Sequence, residues 1–116
     1  MVALSQQDIL NQLPEEIASR SISEKEIVLP REQALMAINL IEEKGLLLLG
    51  WEGWVKDRKG RVGHGSAPRG TVSLASCSVA EAANICRQTI PEDGDAWEAE
   101  YGDSGDELYF CITVRE

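Results

Sequence analysis

The sequence predicts a single α+β domain over residues 1–116, with an antiparallel or mixed sheet of three to five strands packed against two or three helices. Helical periodicity over 30–45 and 78–90 and strand-like patterns over 46–55 and 108–114 support this class. A composition of 43% hydrophobic and 27% charged residues is typical of a globular chain. A chain of this length buries about 65% of its surface in one core, so neither a disulfide nor a structural metal is required.

The first predicted helix covers about residues 5–13. Ser5 is its expected N-cap, because Asp8 lies three residues later, which is the spacing of a capping box. Pro14 leaves two alternatives open. The helix ends there, or a second turn restarts with Pro14 at its first position.

Residues 21–29 are predicted to be an extended lead into the next element, since a residue before proline avoids the helical region. Pro30 then starts the best-defined helix and Gly45 ends it, as expected for a helix with a left-handed cap. Its apolar stripe consists of Leu35, Ile38 and Ile41, widened by Ala34, Ala37 and Leu40.

The apolar run 46–51 predicts a central strand covered on both faces, continuing to Val55 through a bulge at its glycines. Trp51 and Trp54 are three residues apart and therefore face opposite sides, one in the core and the other a candidate surface anchor. A turn at 57–60 and a hairpin return at Arg61 and Val62 are expected next.

The glycine-rich stretch 60–70 predicts a mobile loop, and the alternating residues 70–74 predict a strand. Ser78, with Glu81 three residues later, starts the next helix. Its apolar face is Val79, Ala82, Ala83, Cys86 and Ile90, and it is expected to end at Pro91 and Gly94.

Charge is concentrated near the C-terminus. Residues 92–107 hold eight acids and no base, so they account for almost all of the net charge of −9. Within them, residues 96–101 are expected to be either a strand or a loop. The last strand places Leu108, Phe110, Ile112 and Val114 on one face and Tyr109, Cys111 and Thr113 on the other.

The acidic balance disfavours nucleic acid as a partner, because binding to phosphate backbones needs clustered Lys and Arg. The acidic segment lacks the register of an EF-hand, so it is either a solvated charged loop or a complementary surface for a basic partner. The bases of residues 56–69 are read as solubilising charges on a hairpin, and their glycines do not match a phosphate-binding loop.

Catalytic and metal sites are not indicated. In an extended segment His64 and Ser66 lie about 6.6 Å apart, beyond hydrogen-bonding reach. The cysteines Cys77, Cys86 and Cys111 lack the close spacing of zinc ligands and are interpreted as reduced thiols, with Cys86 and Cys111 in the core. Met1 to Leu13 does not read as a signal peptide, and no apolar run is long enough to span a membrane.

The order of segments resembles the small immunity proteins of bacterial polymorphic-toxin and contact-dependent inhibition systems. The resemblance extends over residues 30–114. It lies in the helix with residues 34–38, its passage through Gly45 into residues 47–50, residues 70–74, the helix from Val79, and residues 108–112. It implies a cytoplasmic α+β protein that binds and neutralises a cognate toxin without catalysis of its own.

The sequence therefore predicts a stoichiometric protein-binding module that meets a basic partner through an acidic surface. The resemblance implies that this module is an immunity protein and that the partner is a basic toxin domain. It is expected to be cytoplasmic and to need no cofactor, metal, nucleic acid or membrane. The candidate partner-binding residues are Asp93, Asp95, Trp97, Glu98, Glu100, Asp103, Asp106, Glu107 and Trp54. The alternatives are a structural or regulatory homo-oligomer joined at a strand edge or near Trp51 and Trp54, and an enzyme or ligand carrier using the loop around His64.

Overall fold

The computed structural model describes residues 4–115. It has the predicted α+β fold, with one four-stranded antiparallel sheet. Four helices accompany the sheet rather than the expected two or three, because the chain forms two short helices around Pro14. The helices are α1 (Gln6–Asn11), α2 (Glu15–Ala18), α3 (Arg31–Glu43) and α4 (Val79–Tyr101). The strands are β1 (Ile27–Leu29), β2 (Leu48–Lys56), β3 (Val62–Gly63) and β4 (Glu107–Val114), in the order β1-β4-β2-β3 across the sheet.

Local sequence signals place the N-terminal helices. Ser5 and Asp8 form a reciprocal capping box at α1, because each side chain accepts a hydrogen bond from the other residue's backbone N–H. The chain restarts after Pro14, which is the N-cap of α2 rather than its first residue. The extended lead before Pro30 becomes the short edge strand β1, and Gly45 adopts φ +72° after α3.

The main core lies between the sheet and the helices. Buried residues of β1, β2 and β4 face α3 and α4, and Trp51 meets Phe110 in an edge-to-face contact with ring centroids 5.2 Å apart. On α3, Ala34, Ala37, Ile38 and Ile41 are buried, while Leu35 and Leu40 are partly exposed. The two faces predicted for the last strand are confirmed: Phe110, Ile112 and Val114 join this core, and Tyr109 and Cys111 lie on the other side.

The opposite side of the sheet is only partly covered, contrary to the prediction for the central strand. β2 does lie between β4 and β3, but Glu52 is exposed and Trp54 is half-buried. The hairpin return is confirmed by β3, and the bulge in β2 falls next to Gly50. Trp51 and Trp54 face opposite sides as predicted, with Trp51 only 3% exposed.

Two predicted elements are wrong. Residues 70–74 are not a strand, although they run beside β2: Thr71 N–H bonds the Trp51 carbonyl and Leu74 N–H bonds the Leu49 carbonyl. Successive bonds are three residues apart on this segment and two apart on β2, so no regular ladder forms.

The second error concerns the end of the last helix. α4 continues through Pro91 and Gly94 to Tyr101, so residues 96–101 are helical rather than a strand or a loop. Trp97 is the physical reason: it is 4% exposed, and its burial favours continuation past the proline, which costs about 3 kcal/mol inside a helix. Gly94 is buried between α4 and the sheet, next to Phe110.

Candidate functional site

The distal half of α4 and the turn after it carry the acidic segment. We call residues 92–107 the acidic end. Six of its carboxylates are exposed and two, Asp93 and Asp106, are half-buried. The exposed ones are Glu92, Asp95, Glu98, Glu100, Asp103 and Glu107. Because a helix fixes its side-chain directions, α4 presents much of this charge on a preformed surface.

Few of these charges are neutralised within the molecule. Across residues 4–115, Asp95 is the only acid of the acidic end in a salt bridge, with its Oδ1 2.8 Å from Nη1 of Arg31. Arg58 also approaches the turn, but its Nε donates to the backbone carbonyl of Ser104 rather than to a carboxylate. The acidic end is therefore a surface of uncompensated negative charge.

A groove of about 350 Å³ lies beside this charge, between α4 and residues 66–70. Trp97 and Tyr101 line it, one helical turn apart, with ring centroids 5.8 Å apart. The helix wall also contributes Asp93 and Glu100, and Arg69 stands on the loop wall. The groove thus combines aromatic surface with carboxylates.

Close backbone contacts hold the loop wall in place. Gly53 N–H donates to the Pro68 carbonyl at 2.9 Å, and a Cβ on Gly53 would lie within 2.8 Å of the Pro68 ring. Gly70 has φ +88°, and a Cβ there would overlap the Trp51 carbonyl. Ser66 Oγ accepts the indole N–H of Trp97 at 3.0 Å, so the loop is tied to both β2 and α4.

Trp97 and Trp54, both candidate partner-binding residues, occupy different environments. Trp97 is 4% exposed and forms the base of the groove rather than a projecting contact. Trp54 lies on the outer face of the sheet, where its indole N–H donates to Glu52 and its ring meets His64 at 5.7 Å. The two tryptophans therefore belong to different surfaces.

The remaining predicted residues divide in the same way. Asp93, Asp95, Glu98, Glu100 and Asp103 belong to the distal part of α4 and its turn. Glu107 begins β4, faces outward opposite Lys56, and accepts the Tyr109 hydroxyl at 3.3 Å. Asp106 lines a separate groove beside the β2–β3 hairpin. The structure gathers most of the candidate set, but not Trp54, Asp106 and Glu107.

Several pKa values are shifted by the fold. Burial raises the pKa of the Cys86 thiol to about 11 and that of the Cys111 thiol to about 12, where the Glu26 carboxylate adds to the effect. Burial, reinforced by Glu107, also raises the pKa of Tyr109. Hydrogen bonds from Ser78 lower the pKa of Glu81, in the capping box of α4.

The residues considered for chemistry are engaged separately. Ser66 bonds Trp97, whereas the His64 ring lies 3.4 Å from the Gly53 carbonyl and against Trp54. The groove beside His64 has a single carboxylate, Glu52. Cys86 and Cys111 are buried free thiols, and Cys77 is half-buried. Within residues 4–115, no three His, Cys, Asp or Glu side chains are grouped to hold a metal ion.

Sequence reasoning missed the groove. The sequence predicts a strand or a loop at Tyr101 and only a solubilising charge at Arg69, yet both residues line the groove. The four-residue spacing of Trp97 and Tyr101, following Ile90 and Gly94, was the available helical signal. The loop wall had no local signal, because it depends on contacts with β2 and α4.

In the described chain, residues 4–115, no helix is both long and apolar enough to cross a bilayer. No protein-family model, curated protein or solved structure matches this chain.

Proposed function

We propose that this chain is a stoichiometric protein-binding module whose acidic end engages a basic surface on another protein. The observation that carries the proposal is the exposed charge of the acidic end, where one carboxylate of eight forms a salt bridge within residues 4–115. A surface of one sign attracts a partner of the opposite sign before contact and can raise association rates by about tenfold or more at low salt.

The resemblance of residues 30–114 to bacterial immunity proteins indicates which class of partner to propose. On that basis we propose a cognate toxin with a basic domain, neutralised in the cytoplasm by occlusion rather than by chemistry. The groove supports a protein partner, because aromatic side chains such as Trp97 and Tyr101 are enriched in protein interfaces.

The alternative of a homo-oligomer joined at a strand edge receives less support. On the outer edge of β1, the N–H of Val28 donates to Ser21 Oγ and its carbonyl accepts from the N–H of Ile22. β3, at the other edge, is only two residues long. An edge whose backbone groups are occupied, or that is very short, does not template pairing with another chain.

The proposal is tested by co-expressing this chain with the gene immediately upstream of its own. That gene is expected to encode the toxin if this chain is an immunity protein. We expect rescue of growth and co-purification in a one-to-one ratio. Failure of both rescue and co-purification would contradict the immunity assignment.

Charge variants then test the surface. The triple variant Glu98→Gln, Glu100→Gln, Asp103→Asn should slow association by about tenfold at low salt, and the difference should shrink at high salt because screening weakens exposed charges. The matched control Glu16→Gln, Glu24→Gln, Glu43→Gln removes the same charge from exposed positions elsewhere. Equal effects of the two triples would show that net charge, and not the acidic end, steers binding.

A further inference from the structure

The groove beside α4 differs from the rest of the acidic end, because it brings two carboxylates and two aromatic rings to one concave space. Asp93 and Glu100 are seven residues apart, so they lie on the same side of α4 about two turns from each other. Trp97 lies between them along the helix, and Tyr101 directly follows Glu100. A ligand in the groove meets negative charge and aromatic surface together.

That combination suits a guanidinium group better than an ammonium group. A guanidinium is planar, stacks on aromatic rings, and presents five N–H donors that can reach more than one carboxylate. An ammonium is a compact, strongly hydrated point charge with less affinity for such a surface. The volume of about 350 Å³ accommodates one long side chain with part of its backbone.

We propose that this groove is the receptor for an arginine side chain presented by the basic partner, held by Asp93 and Glu100 against Tyr101, with Trp97 at the base of the groove. The inference rests on the proposed function and names the group that the acidic end recognises. Charge complementarity supports a cationic ligand, because the helix wall of the groove carries two carboxylates, whereas the loop wall carries one basic side chain, Arg69.

Arg69 allows a second test, in which a substitution is expected to strengthen binding rather than weaken it. It is exposed, and within residues 4–115 it makes no salt bridge. An arginine entering the groove would meet its like charge on the loop wall, which favours docking against the helix wall. Neutralising Arg69 should therefore strengthen binding of a cationic probe, whereas neutralising the carboxylates should weaken it.

The test is an NMR titration of the full chain with N-acetyl-arginine amide, and with the citrulline analogue, which has nearly the same shape but no charge. We expect Kd in the millimolar range for arginine, with shifts at the Trp97 indole N–H and the amides of Gly70 and Tyr101. The citrulline analogue should bind at least about fivefold more weakly. No shifts at these groups up to about 50 mM arginine probe, or equal binding of the two probes, would overturn the proposal.

Two double variants with the same charge change separate the groove from the surface around it. Asp93→Asn, Glu100→Gln removes the groove carboxylates and should weaken arginine binding by about fivefold or more. Glu98→Gln, Asp103→Asn removes acids that do not line the groove and should change it by less than about twofold. Arg69→Gln should strengthen it by about twofold. Equal losses from the two doubles would indicate diffuse attraction and overturn the receptor.

The result is distinguishable from the test of the proposed function. If the partner still binds through the acidic end while the arginine probe does not recognise the groove, the binding function stands and the receptor fails. If the probe binds as described while no partner is neutralised, the receptor stands and the immunity assignment fails.

Discussion

The two halves of α4 form one continuous helix but differ in burial and in charge. Residues 79–90, the proximal half, begin with a capping box at Ser78 and bury Ala82, Ala83, Cys86 and Ile90. Residues 91–101, the distal half, contain Pro91 and Gly94, two residues unfavourable inside helices, and expose most of their carboxylates. The proximal half contributes mainly to stability, whereas the distal half gives up intrinsic helix stability and presents the candidate binding surface.

The distal half stays helical because of packing at few points. Trp97 is buried and hydrogen-bonded to Ser66, and Gly94 is buried next to Phe110. Asp95 adds a salt bridge to Arg31, but both side chains are substantially exposed, so that bridge contributes little. The helical conformation of the distal half therefore depends chiefly on the packing of Trp97.

The largest effect is expected for Trp97→Ala. It removes the buried ring and leaves Ser66 without its donor, so the free energy of unfolding should fall by about 3–5 kcal/mol. Urea denaturation followed by far-UV circular dichroism measures this. Trp97→Phe is the matched control and should retain much of the stability, since it keeps most of the buried ring surface. A loss below about 1 kcal/mol for Trp97→Ala would contradict the packing role given to the distal half.

The extent of α4 shows which parts of the fold the sequence alone could predict. The capping boxes of Ser5 with Asp8 and Ser78 with Glu81 are local contacts, so their residue types and spacing were sufficient. The predicted end of α4 is wrong because Pro91 and Gly94 are unfavourable inside most helices, while the burial of Trp97 is a tertiary effect that local sequence does not encode. Residues 70–74 failed similarly: their alternation is typical of a strand, but their bonds to β2 are too irregular for a ladder.

The candidate site was predictable in charge but not in shape. The eight acids of residues 92–107 can be counted in the sequence, and their exposure follows from their solvation. The groove required the loop around Ser66 and Arg69 to cross to α4, which no local pattern encodes. Separating Glu107 from the groove required knowing that it begins β4.

The second largest effect is expected for Pro91→Ala, which measures how much the proline lowers the stability of the distal half. Pro91→Ala restores a backbone N–H inside α4 and removes the clash of the ring with the preceding turn, so we expect a gain of about 2 kcal/mol in the free energy of unfolding. Chemical denaturation measures the gain, and partner association should be unchanged because Pro91 does not line the groove. The control is Ala80→Gly on the exposed side of the proximal half, which should cost about 1 kcal/mol. A loss of stability in Pro91→Ala would show that the proline fits a local bend better than alanine does.

The smallest effect is a pH dependence of the free energy of unfolding that arises from a buried thiol in the proximal half and not from the distal half. Cys86 lies in the proximal half, and burial raises the pKa of its thiol to about 11. In the unfolded chain the thiol loses its proton near pH 8.5, while in the folded chain it retains it. Its contribution to stability is therefore complete below the unfolded pKa and falls as the pH rises toward the folded pKa.

Between pH 8 and pH 9.5 this linkage should lower the free energy of unfolding by about 1 kcal/mol for Cys86, and Cys111, whose pKa is raised to about 12, should add a similar loss. Cys86→Ala lowers stability at every pH because it leaves a small cavity, but it should remove about half of the alkaline decline. Denaturant midpoints under reducing conditions at the two pH values measure the slope. Glu98→Gln is the control in the distal half and should leave the alkaline slope unchanged, because it alters an exposed side chain and removes neither buried thiol. An alkaline slope that Cys86→Ala does not change would mean that solvent reaches the thiol and that the proximal half is less tightly packed than its buried face indicates.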